Sequence, residues 1–416
     1  GYSSAASDVY KRQIPGCGKC KTTSGKIFTL RLLGTERESF MKVLFAAGGT
    51  GGHINPALAA AGMVRERHPE AQILFVGTAE KMEARLVPAA GYDFKTIDIS
   101  GFQRRLTLEN IKRNFGTLSK LLKSSAQAKK ILLDFQPDVV VGFGGYVSGP
   151  VLRMAAKLGF PTAIHEQNAF PGKTNKVLAG KVDQVMLAVP AAEQYLNAKN
   201  PCTVTGLPVR GELLRADRTL SRFELGLDDR PLVLSMGGSL GAEAINRAMV
   251  EVIAGRHQQA DCYFMHAMGQ YGLWVQDALK DRGVDPDLEK HVIIREYIDD
   301  MYRCMAAADV VICRSGASSL SEVEAMGKAS ILIPSPNVAE NHQYHNAMAL
   351  VSKDAAVLIE EKDLTGERLA QELDRLLSSP QRRRQLEANA KALAITDANE
   401  RIYAVIAGLA QKDQHS

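Results

Sequence analysis

The stretch KVLFAAGGTGGHINP, residues 42–56, combines a short apolar run, four glycines within five positions and the start of a helix-like segment. Glycine lacks a Cβ atom, so such a loop can turn sharply and lie close to a ligand. Pro56 suits the first turn of a helix, whose free amides attract anions. We interpret the stretch as strand, phosphate-type loop and helix, with His53 placed to move a proton. The alternative is a tight strand-to-helix connection with a surface histidine.

The length and composition bound the class of protein. At 416 residues the chain is too long for one ordinary core and is expected to form two or three domains. Its hydrophobic content of 45% and charged content of 23% are those of a globular protein. No apolar run reaches the roughly 18 residues that a membrane-spanning helix needs. Any membrane contact should therefore be peripheral.

The net charge of +5 is concentrated at the N-terminus. Residues 1–40 hold seven Lys or Arg against three Asp or Glu and so supply +4 of it, which argues against a generally basic protein that coats nucleic acid. These residues show no sustained apolar period, and we expect a non-native or disordered extension before Met41. Cys17 and Cys20 form a lone C-x-x-C, a weak metal signal. The scattered remaining cysteines fit a reduced cytoplasmic compartment.

Beyond Met41, short β-branched runs alternate with helical stretches, which predicts an α/β fold with parallel sheets. Strands are expected at residues 43–46, 73–76, 139–141, 162–164, 185–187, 232–235 and 310–312. The second half repeats the opening plan, since GGSLG at 237–241 separates a strand from a helix. Two Rossmann-like domains are expected, with a boundary in the Gly- and Pro-containing segment 206–211. Their glycine loops would line a shared cleft.

A dinucleotide site is not indicated by the first glycine loop. The third glycine of the dinucleotide fingerprint would fall at Ile54. The next strand ends in Gly77 and Thr78 rather than in an acid that could hold a ribose. Hydride chemistry therefore has little support.

Polar residues follow other predicted strands. The run HEQN at 165–168 could fix sugar hydroxyls or supply a catalytic carboxylate, or it could be a polar loop that caps the next helix. Ser315 and Gly316, at a helix start, offer donors to a phosphate. Glu322 could bind a ribose diol or be a solvated helix residue. The loop at 340–344 is also rich in groups that bind hydroxyls.

Metal chemistry has weak support. The only D-x-D, at residues 285–287, lies in a turn-like segment between a helix and a strand, so we interpret it as a solvated turn. We expect no obligatory protein-bound metal, with a divalent cation at most stimulatory.

A basic amphipathic segment runs from Arg104 to Lys130, with eight Lys or Arg and the single acid Glu109. It could rest on an anionic membrane surface. Its apolar stripe could equally cover the first sheet. Both hold if Phe102 and Leu106 in the preceding loop are exposed.

Several motifs occur in a characteristic order. They are GGTGGH (48–53), GGYVSGP (144–150), HEQN (165–168), GGSLGA (237–242) and CRSGA (313–317), followed by Glu322, His342, Gln343, Asn346 and Ala347. Together they resemble the MurG family, the peptidoglycan N-acetylglucosaminyltransferases that make lipid II from lipid I. The resemblance covers about Met41 to the C-terminus.

The resemblance implies a GT-B fold, two Rossmann-like domains facing across a cleft, with a C-terminal helix that returns to the first domain. The implied domains are residues 41–209 with 395–416, and residues 210–394. The implied activity is inverting transfer of N-acetylglucosamine from UDP-N-acetylglucosamine to undecaprenyl-diphospho-N-acetylmuramoyl-pentapeptide, lipid I. The protein would act at the cytoplasmic face of the cell membrane as a peripheral protein.

The resemblance also implies site residues. Those for the donor are Thr50, Gly51, Gly52, Asn168, Arg210, Ser239, Ile298, Glu322 and Gln343. Ser239 and Arg210 would hold the diphosphate, Glu322 the ribose, and the backbone at Ile298 the uracil. Asn168 and Gln343 would hold the sugar hydroxyls. The acceptor would lie on the first-domain loops around Thr50, His53, Tyr146 and Glu166, with Gly49 and Tyr146 in contact with it.

Inversion needs a base for the attacking hydroxyl, and His53 is the first choice and Glu166 the second. One departure is Leu207, which stands where the family usually has an asparagine and puts that amide's hydrogen bond in doubt. Two alternatives remain at this point. They are a UDP-sugar epimerase of the same architecture and a non-catalytic nucleotide-sugar sensor.

Overall fold

The alternating apolar runs form two parallel sheets, seen in a computed structural model that describes residues 40–99 and 123–412. Strands of the first sheet are β1 (Lys42–Ala47), β2 (Gln72–Gly77), β3 (Asp93–Thr96), β4 (Val139–Gly144), β5 (Thr162–Glu166), β6 (Gln184–Leu187) and β7 (Thr203–Val204). Those of the second are β8 (Leu232–Met236), β9 (Tyr263–Ala267), β10 (Val292–Arg295), β11 (Val310–Cys313), β12 (Ser330–Leu332) and β13 (Val357–Leu358). The pairings recorded between these described strands are parallel.

Helices cover both faces of each sheet. In the first half they are α1 (Gly51–Arg67), α2 (Glu83–Ala89), α3 (described over 123–135), α4 (Ser148–Leu158) and α5 (Lys173–Ala179). In the second half they are α6 (Gly211–Arg215), α7 (Arg218–Glu224), α8 (Glu243–Arg256), α9 (Trp274–Lys280), α10 (Met301–Ala307), α11 (Ala317–Met326), α12 (His342–Val351), α13 (Gly366–Ser378), α14 (Pro380–Leu393) and α15 (Ala398–Lys412). Short 3₁₀ turns occupy Pro190–Tyr195, His257–Gln259, Gln270–Gly272, Ala339–Asn341 and Glu361–Asp363.

The two sheets have the same topology. Within the described residues, the first runs β3-β2-β1-β4-β5-β6-β7 and the second β10-β9-β8-β11-β12-β13. In each, the strand order reverses beside the first strand, between β1 and β4 and between β8 and β11. Ligands of open α/β sheets bind at such switch points, outside the carboxyl ends of the strands. The glycine-containing loops that follow these four strands therefore mark the expected site.

The last helix returns to the first half, as predicted. After α14 the chain crosses back, and Ile402 and Ile406 of α15 are buried with Ala57 and Ala61 of α1. A Cβ atom on Gly206 would lie 2.6 Å from Cγ2 of Ile395, and Gly206 has a φ of +75°. The chain passes between the halves near Gly206 and again near Ile395, and these two segments are in contact. Their contact requires a glycine at position 206. The predicted boundary at 209/210 falls between β7 and α6.

Two sequence predictions fall on residues that are not described. Residues 1–39 of the expected extension 1–40, with Cys17 and Cys20, and the part of the basic segment up to residue 122 lie outside the described residues. In the described remainder of that segment, Ala128 of α3 is buried in the core of the first sheet. Ile131 and Leu132, which follow the segment in the same helix, are buried there too. No helix in the described ranges is long and apolar enough to cross a membrane.

Candidate active site

The first glycine loop holds His53 in one orientation. Gly49 has a φ of +90°, and α1 begins two residues later, so His53 lies in the first helical turn. Its Nδ1 is 3.0 Å from the carbonyl oxygen of Gly48 and 3.3 Å from Oγ1 of Thr50. Because a carbonyl oxygen can only accept, Nδ1 carries the proton in the Gly48 contact. The neutral ring then has its lone pair on Nε2.

Electrostatics favour the neutral imidazole. Burial lowers the pKa of His53 below its usual 6.5, and nearby His342 acts in the same direction. The hydrogen bond to Gly48 and the carboxylates of Glu166 and Glu83 oppose this only in part. At neutral pH the ring is therefore unprotonated at Nε2 and can accept a proton.

The glycine loop after β4 packs directly on the glycine loop after β1. Gly144 and Gly145 have φ values of +100° and +80°. A Cβ atom on Gly144 would lie 3.0 Å from Nε2 of His53, and one on Gly145 would lie 2.3 Å from the oxygen of Gly48. The loops can approach this closely only because Gly144 and Gly145 have no side chain. Tyr146, the predicted acceptor residue, is 60% exposed beside them.

Glu166 ends β5 with a fully engaged carboxylate. It is 2% exposed, and its Oε1 accepts from the backbone and side chain of Asn168 at 2.9 and 3.2 Å. Its Oε2 accepts from the amide of Gly172 at 3.1 Å and from Nδ2 of Asn175 at 2.8 Å. Four donors therefore bind this carboxylate and shape the loop after β5.

His165 connects the same loop to the segment 206–211 between the two halves. Its Nε2 lies 2.9 Å from the carbonyl oxygen of Gly206, and Gln167 donates to its Nδ1 at 3.2 Å. Burial lowers the pKa of His165 to about 4, so the ring is neutral and structural. Leu207, next to Gly206, is 2% exposed and fills an apolar position.

Asn346 joins the two halves and has no role assigned by the sequence beyond its place in a motif. It is 2% exposed on α12. Its Oδ1 accepts from the amide of Ala169 at 2.8 Å, and its Nδ2 donates to Oδ1 of Asn168 at 3.1 Å and to the carbonyl of Ser315 at 3.2 Å. This one side chain therefore aligns the loop after β5 with the loop after β11.

An aromatic contact lies beside Asn346. The ring of Phe170, from the first half, stacks on that of His345 with centroids 4.7 Å apart. Nζ of Lys176 lies 3.7 Å from the centroid of Phe170. The halves are thus in contact through polar and aromatic groups at the cleft.

The glycine loop of the second half repeats the first. Gly238 and Gly241 have φ values of +90° and +86°, and the loop leads into α8. Ser239 is exposed, and its carbonyl accepts from the amide of Gln270 at 3.1 Å. An exposed hydroxyl and a helix N-terminus together suit an anionic ligand.

Arg210 and Glu322, predicted for diphosphate and ribose, contact each other. Nε and an outer nitrogen of Arg210 lie 3.2 and 3.0 Å from Oε1 of Glu322. Burial raises the pKa of Glu322, and the charge and hydrogen bonding of Arg210 oppose that rise. The guanidinium is half exposed, so it can also reach a ligand.

Two further residues, Gln343 and Ile298, are predicted to bind the donor substrate. Gln343 of α12 accepts from the amide of Ser335 at 2.9 Å, which fixes its amide group. Ile298 follows β10 with its side chain buried in the core.

The structure adds Glu83, which the sequence reasoning did not single out. This residue begins α2, is 0% exposed and hydrogen-bonds the first glycine loop. Its place in a charged stretch, AEKMEAR at 79–85, gave no signal of burial.

No cluster of His, Cys, Asp and Glu that could hold a metal ion occurs in residues 40–99 and 123–412. The D-x-D at 285–287 lies in a turn after α9, where the amide of Asp287 donates to Asp285 at 3.1 Å. Lys280 lies 3.1 Å from Asp287 and 3.7 Å from Asp285. The expectation that no metal is obligatory stays a prediction.

Comparisons with known proteins agree with this architecture. Residues 43–187 match the glycosyltransferase family 28 N-terminal domain, and residues 232–402 match its C-terminal domain. A relative from Acetivibrio thermocellus is 43% identical over 367 residues, 88% of this chain and 97% of its own. One from Thermoanaerobacter sp. is 45% identical over 367 residues, 88% of this chain and 99% of its own. Both are named UDP-N-acetylglucosamine--N-acetylmuramyl-(pentapeptide) pyrophosphoryl-undecaprenol N-acetylglucosamine transferase.

Solved structures are similar over the same part of the chain. Acinetobacter baumannii MurG is 30% identical with a TM-score of 0.71, covering 88% of this chain and 99% of its own. A putative UDP-N-acetylglucosamine 2-epimerase from Listeria monocytogenes is 16% identical with a TM-score of 0.60, covering 88% and 96%, a likeness of fold alone. The predicted α/β fold of GT-B type is confirmed.

Proposed function

We propose a function from the premise that this chain belongs to glycosyltransferase family 28 and, within it, to the MurG family. The protein transfers N-acetylglucosamine from UDP-N-acetylglucosamine to undecaprenyl-diphospho-N-acetylmuramoyl-pentapeptide, which converts lipid I into lipid II in peptidoglycan biosynthesis. The observation that carries this proposal is the 43% identity to a transferase of that name over 97% of its length.

In the proposed mechanism, His53 is the general base. A hydroxyl of the acceptor attacks the anomeric carbon from the face opposite the diphosphate, and its proton passes to Nε2 of His53. The bond between the anomeric carbon and the diphosphate oxygen breaks, and UDP leaves with the electron pair. The configuration at the anomeric carbon is inverted. The support for this role is the Nδ1 contact with Gly48, which leaves Nε2 free to accept.

We assign Glu166 to holding the loop after β5 rather than to proton transfer. Its four hydrogen-bond donors leave the carboxylate little capacity for a substrate proton. The same contacts, with Asn346, fix Asn168 at the cleft, where its amide can bind a sugar hydroxyl. Gln343 has the corresponding role on α12.

The second half binds the donor in this proposal. Arg210, Ser239 and the amides at the start of α8 hold the diphosphate and stabilise the charge that grows on departing UDP. Glu322 accepts from the ribose hydroxyls, and the backbone of Ile298 contacts uracil. Thr50, Gly51 and Gly52 approach the donor from the first half. These groups need no protein-bound metal, and a divalent cation would be at most stimulatory.

The acceptor side belongs to the first half. Gly49 and the exposed Tyr146 lie beside His53 and would contact the acceptor. Because the acceptor named for the relatives is joined to undecaprenol, we propose peripheral action at an anionic membrane surface, on the cytoplasmic face. The basic segment 104–130 is the candidate contact.

The proposed base predicts the sign of the pH dependence. Protonation of Nε2 removes the lone pair, so kcat/KM for the acceptor should fall as pH drops through the pKa of His53. Since burial lowers that pKa below 6.5, the fall should begin below the usual histidine range. Initial rates between about pH 5 and pH 8 with saturating donor would measure it. An acidic limb centred at or above 6.5 would contradict this assignment.

A direct assay separates the transferase from its alternatives. The purified protein is incubated with UDP-N-acetylglucosamine, with and without a lipid I analogue. We expect UDP release only with the acceptor, together with an acceptor product that gains one N-acetylglucosamine in the inverted configuration. Conversion of the sugar nucleotide without acceptor would indicate an epimerase. Binding without turnover in either case would indicate a sensor.

A further inference from the structure

Glu83 is a buried carboxylate between the ends of β1 and β2. Its Oε1 accepts from the amide of Thr78 at 3.0 Å and from the hydroxyl of Thr78 at 2.7 Å. Its Oε2 accepts from the amide of Gly49 at 3.0 Å. In the part of the chain that the structure describes, no lysine or arginine forms an ion pair with it. Hydrogen-bond donors alone therefore compensate its charge.

The surrounding backbone is adapted to this side chain. A Cβ atom on Gly48 would lie 2.6 Å from Oε1 of Glu83, and one on Gly77 would lie 2.5 Å from its Cγ. Burial alone would raise the pKa of Glu83, but the hydrogen bonds from Thr78 and Gly49 hold it below its usual range. The carboxylate is thus ionised in a space that only glycine neighbours leave open.

One peptide group connects Glu83 to His53. The Gly49 N–H that donates to Glu83 and the Gly48 C=O that accepts from Nδ1 of His53 belong to the same peptide bond. Hydrogen bonds arranged in series polarise one another. This series of hydrogen bonds runs from the carboxylate of Glu83 through the planar Gly48–Gly49 peptide group to the imidazole of His53. It ends at Nδ1, whereas the proposed base is Nε2, the other ring nitrogen.

We propose that Glu83 is a positioning residue that acts through the Gly48–Gly49 peptide group to hold His53 with Nδ1 protonated and Nε2 directed at the acceptor. The inference rests on the proposed role of His53 as the base. A carboxylate at the far end makes the Gly48 carbonyl a stronger acceptor. It therefore stabilises the imidazolium that forms when Nε2 takes the proton.

Other charged groups face the same imidazole and must be considered. Glu166 at the end of β5 raises the pKa of His53, as Glu83 does, whereas His342 of α12 lowers it. Glu83 differs from both because it is linked to Nδ1 by hydrogen bonds. Removing its charge should lower the pKa of His53 further and weaken the orientation of the ring.

The test uses Glu83→Gln, which keeps the size and shape of the side chain. Its amide group brings a donor toward the donors of Thr78 and Gly49, so one of them loses its acceptor. We expect kcat to fall with the donor KM unchanged, by about 10- to 100-fold, the loss usual for an outer-shell partner that orients a metal-bound histidine. Thr78→Val is the matched control, because it removes one hydrogen bond to Glu83 and leaves the Gly49 contact in place.

A double-mutant cycle separates positioning from a general effect on folding. In a His53→Ala background, Glu83→Gln should have little further effect on kcat if it acts through the imidazole. Equal losses of kcat in both backgrounds would overturn the proposal. The His53→Ala variant alone tests the base, so failure of the proposed function and failure of this inference give different results.

A spectroscopic measurement of the His53 tautomer tests the proposal without relying on a Glu83 variant, and the same method measures the His53 pKa in Glu83→Gln. Nitrogen-15 NMR of the histidine-labelled full chain, with His53 assigned by its loss in His53→Ala, reports which ring nitrogen carries the proton. We expect the Nδ1–H form in the unsubstituted protein and a lower His53 pKa in Glu83→Gln. An Nε2–H form of His53 would overturn the proposal even if Glu83→Gln did not fold.

Discussion

Replacing His53 with alanine is expected to lower kcat by about 10²- to 10⁴-fold, the usual contribution of a general base. The substitution removes the imidazole whose Nε2 lies against the Gly144 loop and whose Nδ1 contacts the carbonyl oxygen of Gly48. The proposed contacts to the diphosphate, ribose and uracil of the donor lie in the second half, so the KM for UDP-N-acetylglucosamine should change little. The measurement is UDP release at saturating acceptor, with donor affinity determined separately by calorimetry.

His68→Ala is the matched control for this substitution. His68 follows the last turn of the same helix and contacts the hydroxyl of Tyr403 at 2.8 Å, far along α1 from the glycine loop. Its loss should leave kcat unchanged. Turnover of His53→Ala close to that of His68→Ala would exclude His53 as the base and favour Glu166, the second choice.

The fold could be predicted where strands are continuous apolar runs. The expected segments 43–46, 139–141 and 310–312 lie within β1, β4 and β11, which are buried on both faces. β3, with the sequence DFKT, is an edge strand with three of its four residues exposed, and β13 has two residues. Such strands depend on their neighbours more than on their own pattern.

The candidate site could be predicted only where a motif is local. GGTGGH places its histidine at a helix start by chain geometry alone, so His53 was found from the sequence. Glu83 was missed because its burial depends on Gly48, in the loop after β1, and Gly77, at the end of β2, meeting in space. The contacts of Asn346 likewise exist only after the two halves pack together. Charge and polarity in the sequence do not report such long-range partners.

Replacing Arg210 with alanine is the second large effect that we expect. Removing one donor that stabilises developing negative charge costs about 10²- to 10³-fold in kcat. Arg210 lies in the segment 206–211 between the two halves, and its guanidinium is half exposed beside Glu322. Arg210→Lys should recover part of the loss, since lysine keeps the charge but not the planar fork. Steady-state kinetics with saturating acceptor would give kcat and the donor KM.

Arg247→Ala supplies the matched control. Arg247 is an exposed arginine of α8 that pairs with Glu243 one turn earlier, and its loss should not change kcat. Thermal unfolding should also be similar for Arg210→Ala and Arg247→Ala, because half-exposed ion pairs contribute little to stability.

The contact with Glu322 offers a second explanation for a lower kcat in Arg210→Ala. A double substitution distinguishes the two explanations. If Arg210 serves only to neutralise Glu322, removing both charges in Arg210→Ala/Glu322→Gln should restore kcat. If Arg210 stabilises the departing diphosphate, the double variant should remain as slow as Arg210→Ala and bind the donor more weakly. We expect the second result, because the guanidinium of Arg210 is half exposed and can reach a ligand beside its contact with Glu322.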